Sequence, residues 1–139
     1  MNGAITAAVA AAGLYAALNM LIIHWIASAT GALRRKHKVS IGDGGVPHLI
    51  RIMRGMANAI ENMPMFFVLL AIAALMGAPA IGIHLLGIVF TIGRALHAKH
   101  FIAEDAPGWQ RGIGFGLSFL AQVVLALGII GHWLWGMMG

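Results

Sequence analysis

The sequence contains no cysteine among its 139 residues. Disulfides, thiolate metal sites and a cysteine nucleophile are therefore excluded, and any thiol chemistry needs a thiol that the substrate supplies. Charged residues are also scarce, at 9% of the chain against about 25% in an average soluble domain. Since 60% of the residues are hydrophobic, too little polar sequence remains to cover a water-facing surface. These absences indicate a membrane protein of a single domain.

Acidic residues are the scarcer charge, with four Asp and Glu against nine Lys and Arg and a formal net charge of +5. The basic residues cluster beside apolar segments, which indicates membrane topology and anion binding and not a nucleic-acid partner. His97 and His100 form an H-x-x-H pair. We predict no metal site there, because the acidic and cysteine neighbours of zinc motifs are missing.

Four apolar segments are long enough to cross a bilayer, which takes about 20 residues. We predict helices at about residues 5–29, 47–76, 81–98 and 112–135. Barrel strands are disfavoured because they alternate apolar with polar residues, and this pattern is missing. Ala27-Ser28-Ala29 resembles a signal-peptide cleavage site, but the segment starts without a basic residue and its apolar run is too long. The expected fold is an all-α integral membrane four-helix bundle.

Basic residues in two loops predict the orientation of the bundle. The loop after the first segment carries Arg34, Arg35, Lys36 and Lys38. Lys99 and Arg111 flank the loop after the third segment. By the positive-inside rule, both loops lie in the cytoplasm and both termini lie outside it, as an even number of spans requires.

The second segment carries a polar stripe that includes Glu61, the only carboxylate within a predicted span. Arg51, Arg54, Asn58 and Glu61 are spaced three, four and three residues apart, so they lie within an arc of roughly 80° on one helix face. A charge near the bilayer centre costs at least about 2.5–3.5 kcal/mol, so this face is expected to point into the protein. A purely structural network is the alternative, but four polar residues exceed what helix packing needs.

Further cations lie on the third and fourth segments. Arg94 and His97 share one face of the third segment, and Arg111 precedes the fourth. Together with Arg51 and Arg54, these arginines greatly outnumber the one intramembrane carboxylate. Guanidinium groups bind carboxylates bidentately, so such a site suits an anion with more than one acidic group.

The segment from Arg54 to Pro64 resembles the R-x-x-x-N-x-x-E-x-x-P signature of the MAPEG family, the membrane-associated proteins in eicosanoid and glutathione metabolism. The glycine loop at residues 41–45 and the sequence around Arg94 and His97 resemble bacterial members of this family. The resemblance covers residues 34–111. It implies a homotrimer of four-helix protomers that binds glutathione between subunits, near the cytoplasmic side of a bacterial inner membrane.

The resemblance also implies roles for individual residues. The family's glutathione-binding positions correspond to Arg51, Arg54, Asn58, Glu61, Arg94 and His97. Arg111 corresponds to the catalytic arginine that faces the glutathione sulfur, and such an arginine favours the thiolate of a thiol whose free pKa is about 8.5. Phe101 stands where several members have a tyrosine, so assistance from a tyrosine hydroxyl is not expected.

The implied function is that of a glutathione transferase or peroxidase, in which glutathione is a co-substrate and a hydrophobic electrophile or peroxide arrives from the lipid bilayer. The family also includes a member that binds lipids without catalysis, so fold and binding transfer more safely than turnover. A non-enzymatic lipid- or glutathione-binding protein is therefore the alternative. A transporter that uses Glu61 is disfavoured, because a second intramembrane acid and broken helices are missing.

Overall fold

The computed structural model describes residues 3–138, which form four long α-helices. The helices are α1 Gly3–His37, α2 Pro47–Leu75, α3 Ala80–Ile102 and α4 Gly108–Met138. Each is long and apolar enough to cross a membrane, and residues 3–138 contain no strand. The predicted all-α class and the four membrane spans are therefore confirmed.

The ends of the helices follow local sequence signals. α1 continues past residue 29 to His37, and basic side chains fill its last turn, where cations complement the helix dipole. The connection to α2 passes through Gly42, Gly44 and Gly45 at positive φ, a conformation that glycine adopts without steric cost. Pro47 opens α2, at a position where its missing N–H is not needed. The glycine segment and the proline together turn the chain back into the bundle.

α3 is the central helix of the bundle, because it packs against α1, α2 and α4, whereas α2 and α4 touch little. The contact between α3 and α4 is close at Gly93 and Gly114, where a Cβ on either residue would lie 2.8 Å from the carbonyl oxygen of the other. Small residues of this kind let membrane helices approach each other. The close α3–α4 contact and the sparse α2–α4 contact leave a groove between α2 and α4.

A polar cluster joins α1 to α3, and we call it the α1–α3 cluster. It contains Tyr15, Asn19, His84 and Thr91. The Tyr15 hydroxyl forms a hydrogen bond of 2.9 Å with His84 Nδ1, and Asn19 Nδ2 donates to Thr91 Oγ1 at 2.7 Å. The Tyr15 ring packs directly over Gly87, which leaves no space for a Cβ there. These contacts fix α1 against α3, and none of these residues lines the cavity of about 580 Å³ between α2, α3 and α4.

Candidate functional site

A cavity of about 580 Å³ opens between α2, the end of α3 and the start of α4. It lies at the end of the bundle that carries the two basic loops. Its lining consists of Arg51, Arg54, Ala57, Asn58, Glu61, His97, Phe101, Arg111, Gly112 and Phe115. The fold thus brings together every predicted site residue except Arg94, although they come from three helices.

Three charged side chains at the cavity have no partner among residues 3–138. Arg54, Glu61 and Arg111 are exposed, and none of them forms an ion pair in the part of the chain that the structure describes. Arg54 and Glu61 are seven residues apart on α2, about 10 Å along the helix axis, so they do not neutralise each other. Both signs of charge are therefore available to a ligand in the same cavity.

Arg94 lies behind the cavity and not in its wall. Its side chain is only 1% exposed. Its Nη2 lies 3.0 Å from Asn58 Oδ1 and 3.3 Å from His97 Nδ1. Its Nε and Nη1 have no hydrogen-bond partner among residues 3–138. Arg94 thus supports two lining residues from within the bundle. The close approach of α3 to α4 at Gly93 explains why this position is so deeply buried.

Arg51 lines the cavity, but its hydrogen bonds go to the last turn of α3 and to the α3–α4 loop. Nη2 donates to the carbonyl of His100 at 2.7 Å and lies 3.0 Å from His100 Nε2. Nη1 donates to the carbonyl of Glu104 at 3.0 Å. His48, one turn earlier on α2, makes a 2.8 Å hydrogen bond with the Ile102 carbonyl through Nε2. These contacts tie the loop that leads to Arg111 to the start of α2.

His48 and His100 are site-supporting residues that the sequence analysis did not identify. His48 precedes Arg51 by three residues, so it extends the polar stripe of α2 by one turn, and this spacing was an available signal. His100 follows the predicted site residue His97 by three residues, which was the same kind of signal. Its partners are Arg51 and the carbonyl of Pro107, 3.3 Å from its Nδ1. The described residues contain no cluster of His, Asp or Glu that is suited to a metal ion.

The cavity lining also includes two aromatic side chains, Phe101 and Phe115. The Phe101 ring packs 4.8 Å from the His97 ring, measured between centroids, and Phe115 is exposed at the start of α4. Beyond it, the α2–α4 groove contains a second cavity of about 260 Å³, lined by Met65, Phe66, Leu69, Phe119, Gln122, Val123 and Ala126. Gln122 stands near Asn62, with Nε2 3.5 Å from Oδ1. A polar chamber and an apolar chamber therefore follow each other along the groove.

The chain is similar to known membrane proteins. Residues 12–131 match the MAPEG family. The chain is 30% identical over 122 residues to "Inner membrane protein YecN" of Escherichia coli strain K12 and to the protein of the same name from Escherichia coli O6:H1. The match covers 88% of this chain and 92% of each relative. That name gives a membrane location and no reaction. The family resemblance of the α2 signature is confirmed, and the chain belongs to the MAPEG family.

Proposed function

We propose that this protein binds glutathione in the cavity between α2, α3 and α4 and activates its thiol toward a lipophilic electrophile or peroxide. The observation that carries the proposal is the set of unpaired charges, Arg54, Glu61 and Arg111, around a cavity of about 580 Å³. Cavities of about 300–1,000 Å³ are typical of small-molecule sites. Membership of a family named for glutathione metabolism supports this choice of ligand.

Glutathione has the groups that this cavity lacks. It carries two carboxylates, one ammonium group and one thiol. Glu61 is the only acidic side chain in the lining and pairs with the ammonium group. Arg54 pairs with a carboxylate, for which its guanidinium offers a bidentate match. Because the two side chains are about 10 Å apart along α2, an extended tripeptide bridges them, which neither a single carboxylate nor an inorganic anion does.

Arg111 is the residue that activates the thiol in this proposal. It lies at the first turn of α4, and Gly112 beside it also lines the cavity. A guanidinium lowers the pKa of an adjacent thiol by favouring the thiolate, which is the nucleophile. The start of a helix adds a partial positive charge in the same direction. The lining contains no cysteine, so the sulfur comes from glutathione.

The lipophilic co-substrate approaches through the apolar part of the α2–α4 groove. Phe115 stands at the junction between the polar cavity and the groove, and the second cavity beyond it is lined mainly by apolar side chains. In a bilayer this groove faces hydrocarbon, so a lipophilic electrophile or peroxide reaches the thiolate without passing through water. A hydrophilic co-substrate has no such advantage.

The functional unit in this proposal is a homotrimer in a bacterial inner membrane, with both basic loops in the cytoplasm and both termini outside it. Arg54, Glu61 and Arg111 are exposed on the protomer, and exposed charges within a membrane span are costly. A neighbouring subunit that covers the cavity removes this cost and encloses the ligand. The membrane location named for the Escherichia coli relatives supports the choice of membrane.

Binding of glutathione to the purified protein tests the proposal directly. Titration calorimetry in detergent is expected to show binding to the wild type and at least tenfold weaker binding to Glu61→Gln. That loss corresponds to about 1.4 kcal/mol, within the range for a charged hydrogen bond. Asp105→Asn is the control, because Asp105 is exposed and lies outside the cavity. Wild-type protein that does not bind glutathione would contradict the proposal.

A non-enzymatic binding protein is the second candidate function. Phe101 in place of a tyrosine favours it, because the cavity lining then contains no hydroxyl group. In that case glutathione or a lipid anion binds with the same dependence on Glu61 and Arg54, but no conjugate or peroxide reduction is detected over a broad panel of electrophiles and peroxides. Turnover of any electrophile or peroxide in the panel would show that the protein is an enzyme.

A further inference from the structure

We propose that Arg94 is a positioning residue, which fixes Asn58 and His97 as hydrogen-bond donors toward the cavity without touching the ligand. The inference rests on the proposed function only for the identity of that ligand. Its geometric basis is the pair of contacts from Arg94 Nη2, at 3.0 Å to Asn58 and 3.3 Å to His97.

The chemistry of a guanidinium leaves one orientation for each partner. Arginine offers donors only and has no acceptor. The amide atom of Asn58 that faces Arg94 is therefore the oxygen, and the NH2 group faces the other way. By the same reasoning, His97 Nδ1 accepts and carries no proton, so a neutral His97 has its proton on Nε2. Arg94 thus determines both an amide orientation and a tautomer.

The groups that Arg94 turns away from itself are available to a ligand. Asn58 and His97 both line the cavity. Neither Asn58 Nδ2 nor His97 Nε2 has a hydrogen-bond partner within residues 3–138. Together with the guanidinium groups of Arg54 and Arg111, they make this wall of the cavity a set of donors. The site therefore selects a ligand that places carboxylate, carbonyl or thiolate acceptors against this wall.

Stability does not explain an arginine at this position. Arg94 is 1% exposed, and within residues 3–138 it has no carboxylate partner and two of its nitrogens lack hydrogen bonds. Replacing a buried ionic group with apolar residues of similar volume is often neutral or stabilising, and charges within a membrane span typically mark functional sites. The uncompensated charge also makes the wall behind Asn58 and His97 more positive, which favours an anion on the cavity side.

The tautomer of His97 distinguishes a positioning role of Arg94 from a merely structural one, because a structural contact alone would not determine which ring nitrogen carries the proton. Histidine-labelled protein, studied by 15N NMR without ligand, is expected to show His97 as the Nε2–H tautomer. The His97→Gln variant assigns the signal among the seven histidines. In Arg94→Gln, whose amide can either donate or accept, the single tautomer is expected to give way to a mixture. Arg94→Lys, which again offers only donors, is expected to retain it.

Glutathione affinity provides the second readout. Arg94→Gln is expected to bind at least tenfold more weakly, the size of effect typical for leaving buried donors misaligned, while Arg94→Lys retains more of the affinity. Asn58→Asp keeps the acceptor for Arg94 but presents an acceptor to the cavity, so it is expected to stay folded and to bind at least tenfold more weakly. Thermal unfolding of each variant separates loss of fold from loss of binding.

Two results would overturn the assignment of Arg94. One is a wild-type His97 that carries its proton on Nδ1 or is an imidazolium. The other is an Arg94→Gln variant that folds and binds glutathione as tightly as the wild type. If the wild type binds no glutathione at all, the proposed function fails, but the tautomer measurement on the free protein still decides the role of Arg94.

Discussion

The polar cavity and the α1–α3 cluster are two ways of placing polar side chains inside a membrane bundle. In the cluster, Tyr15 pairs with His84 and Asn19 pairs with Thr91, and Asn19 Oδ1 is the only buried side-chain atom of these four residues without a partner among residues 3–138. In the cavity, Arg54, Glu61 and Arg111 have no partner in the described part of the chain and surround open space. Polar side chains whose hydrogen bonds are satisfied within the bundle hold helices together, whereas unpaired polar side chains beside a cavity are available to a ligand. Hydrogen-bond saturation therefore separates structural polarity from functional polarity here.

The largest expected effect follows from the unsaturated Arg111. In Arg111→Ala the thiolate loses its nearest cation, so turnover of glutathione with a generic lipophilic electrophile is expected to fall roughly 100-fold or more. Glutathione binding is expected to weaken much less, because the ammonium group and a carboxylate still have Glu61 and Arg54. Single-turnover conjugation together with titration calorimetry measures both quantities. Lys99→Ala, an exposed cation near the same loop that does not line the cavity, is the control.

Equal losses of binding and turnover in Arg111→Ala would count against the assigned role. Such a result would make Arg111 an ordinary carboxylate anchor and would leave the thiol without an activating residue. A variant with unchanged turnover would remove Arg111 from the mechanism altogether.

Hydropathy and residue spacing were enough to predict the four spans and the polar face of α2, because both depend on periodicity along one helix. The depth of a side chain was not predictable in the same way. Arg94 lies on the expected face of α3, but the close approach of α4 at Gly114 places it behind Asn58 and His97. Nor does the sequence show that Arg51 donates to the carbonyls of His100, in the last turn of α3, and of Glu104, in the α3–α4 loop, since every residue carries a carbonyl.

Arg51 shares features of both regions, because it lines the cavity and yet most of its donors already have hydrogen-bond partners within the protein. Since its hydrogen bonds are mostly satisfied, we expect Arg51 to have a structural role. Arg51→Met is expected to loosen the α3–α4 loop and to lower kcat/KM about tenfold by misplacing Arg111, since charged hydrogen bonds contribute about 1.5–3 kcal/mol. Hydrogen exchange at the amides of residues 103–107 is expected to become faster. This increase is expected in both the presence and the absence of glutathione.

The control for Arg51 is Arg35→Met, which removes a cation from the last turn of α1 and is expected to leave exchange in the loop unchanged. Weaker glutathione binding in Arg51→Met with unchanged loop exchange would place Arg51 among the ligand contacts. Saturation within one protomer would then be an insufficient criterion.

The smallest expected effect is that of the saturated Tyr15. Tyr15→Phe removes the hydrogen bond to His84 but keeps the ring that packs over Gly87. Interhelical hydrogen bonds in membrane proteins contribute about 0.6 kcal/mol on average, so the free energy of unfolding is expected to fall by about that amount. A double-mutant cycle with His84→Phe isolates the coupling of the pair.

Glutathione affinity and turnover are expected to stay at wild-type values, because the α1–α3 cluster lies outside the cavity. If Tyr15→Phe weakened glutathione binding as strongly as Glu61→Gln, the two regions would be coupled, and hydrogen-bond saturation would no longer distinguish structure from function in this bundle.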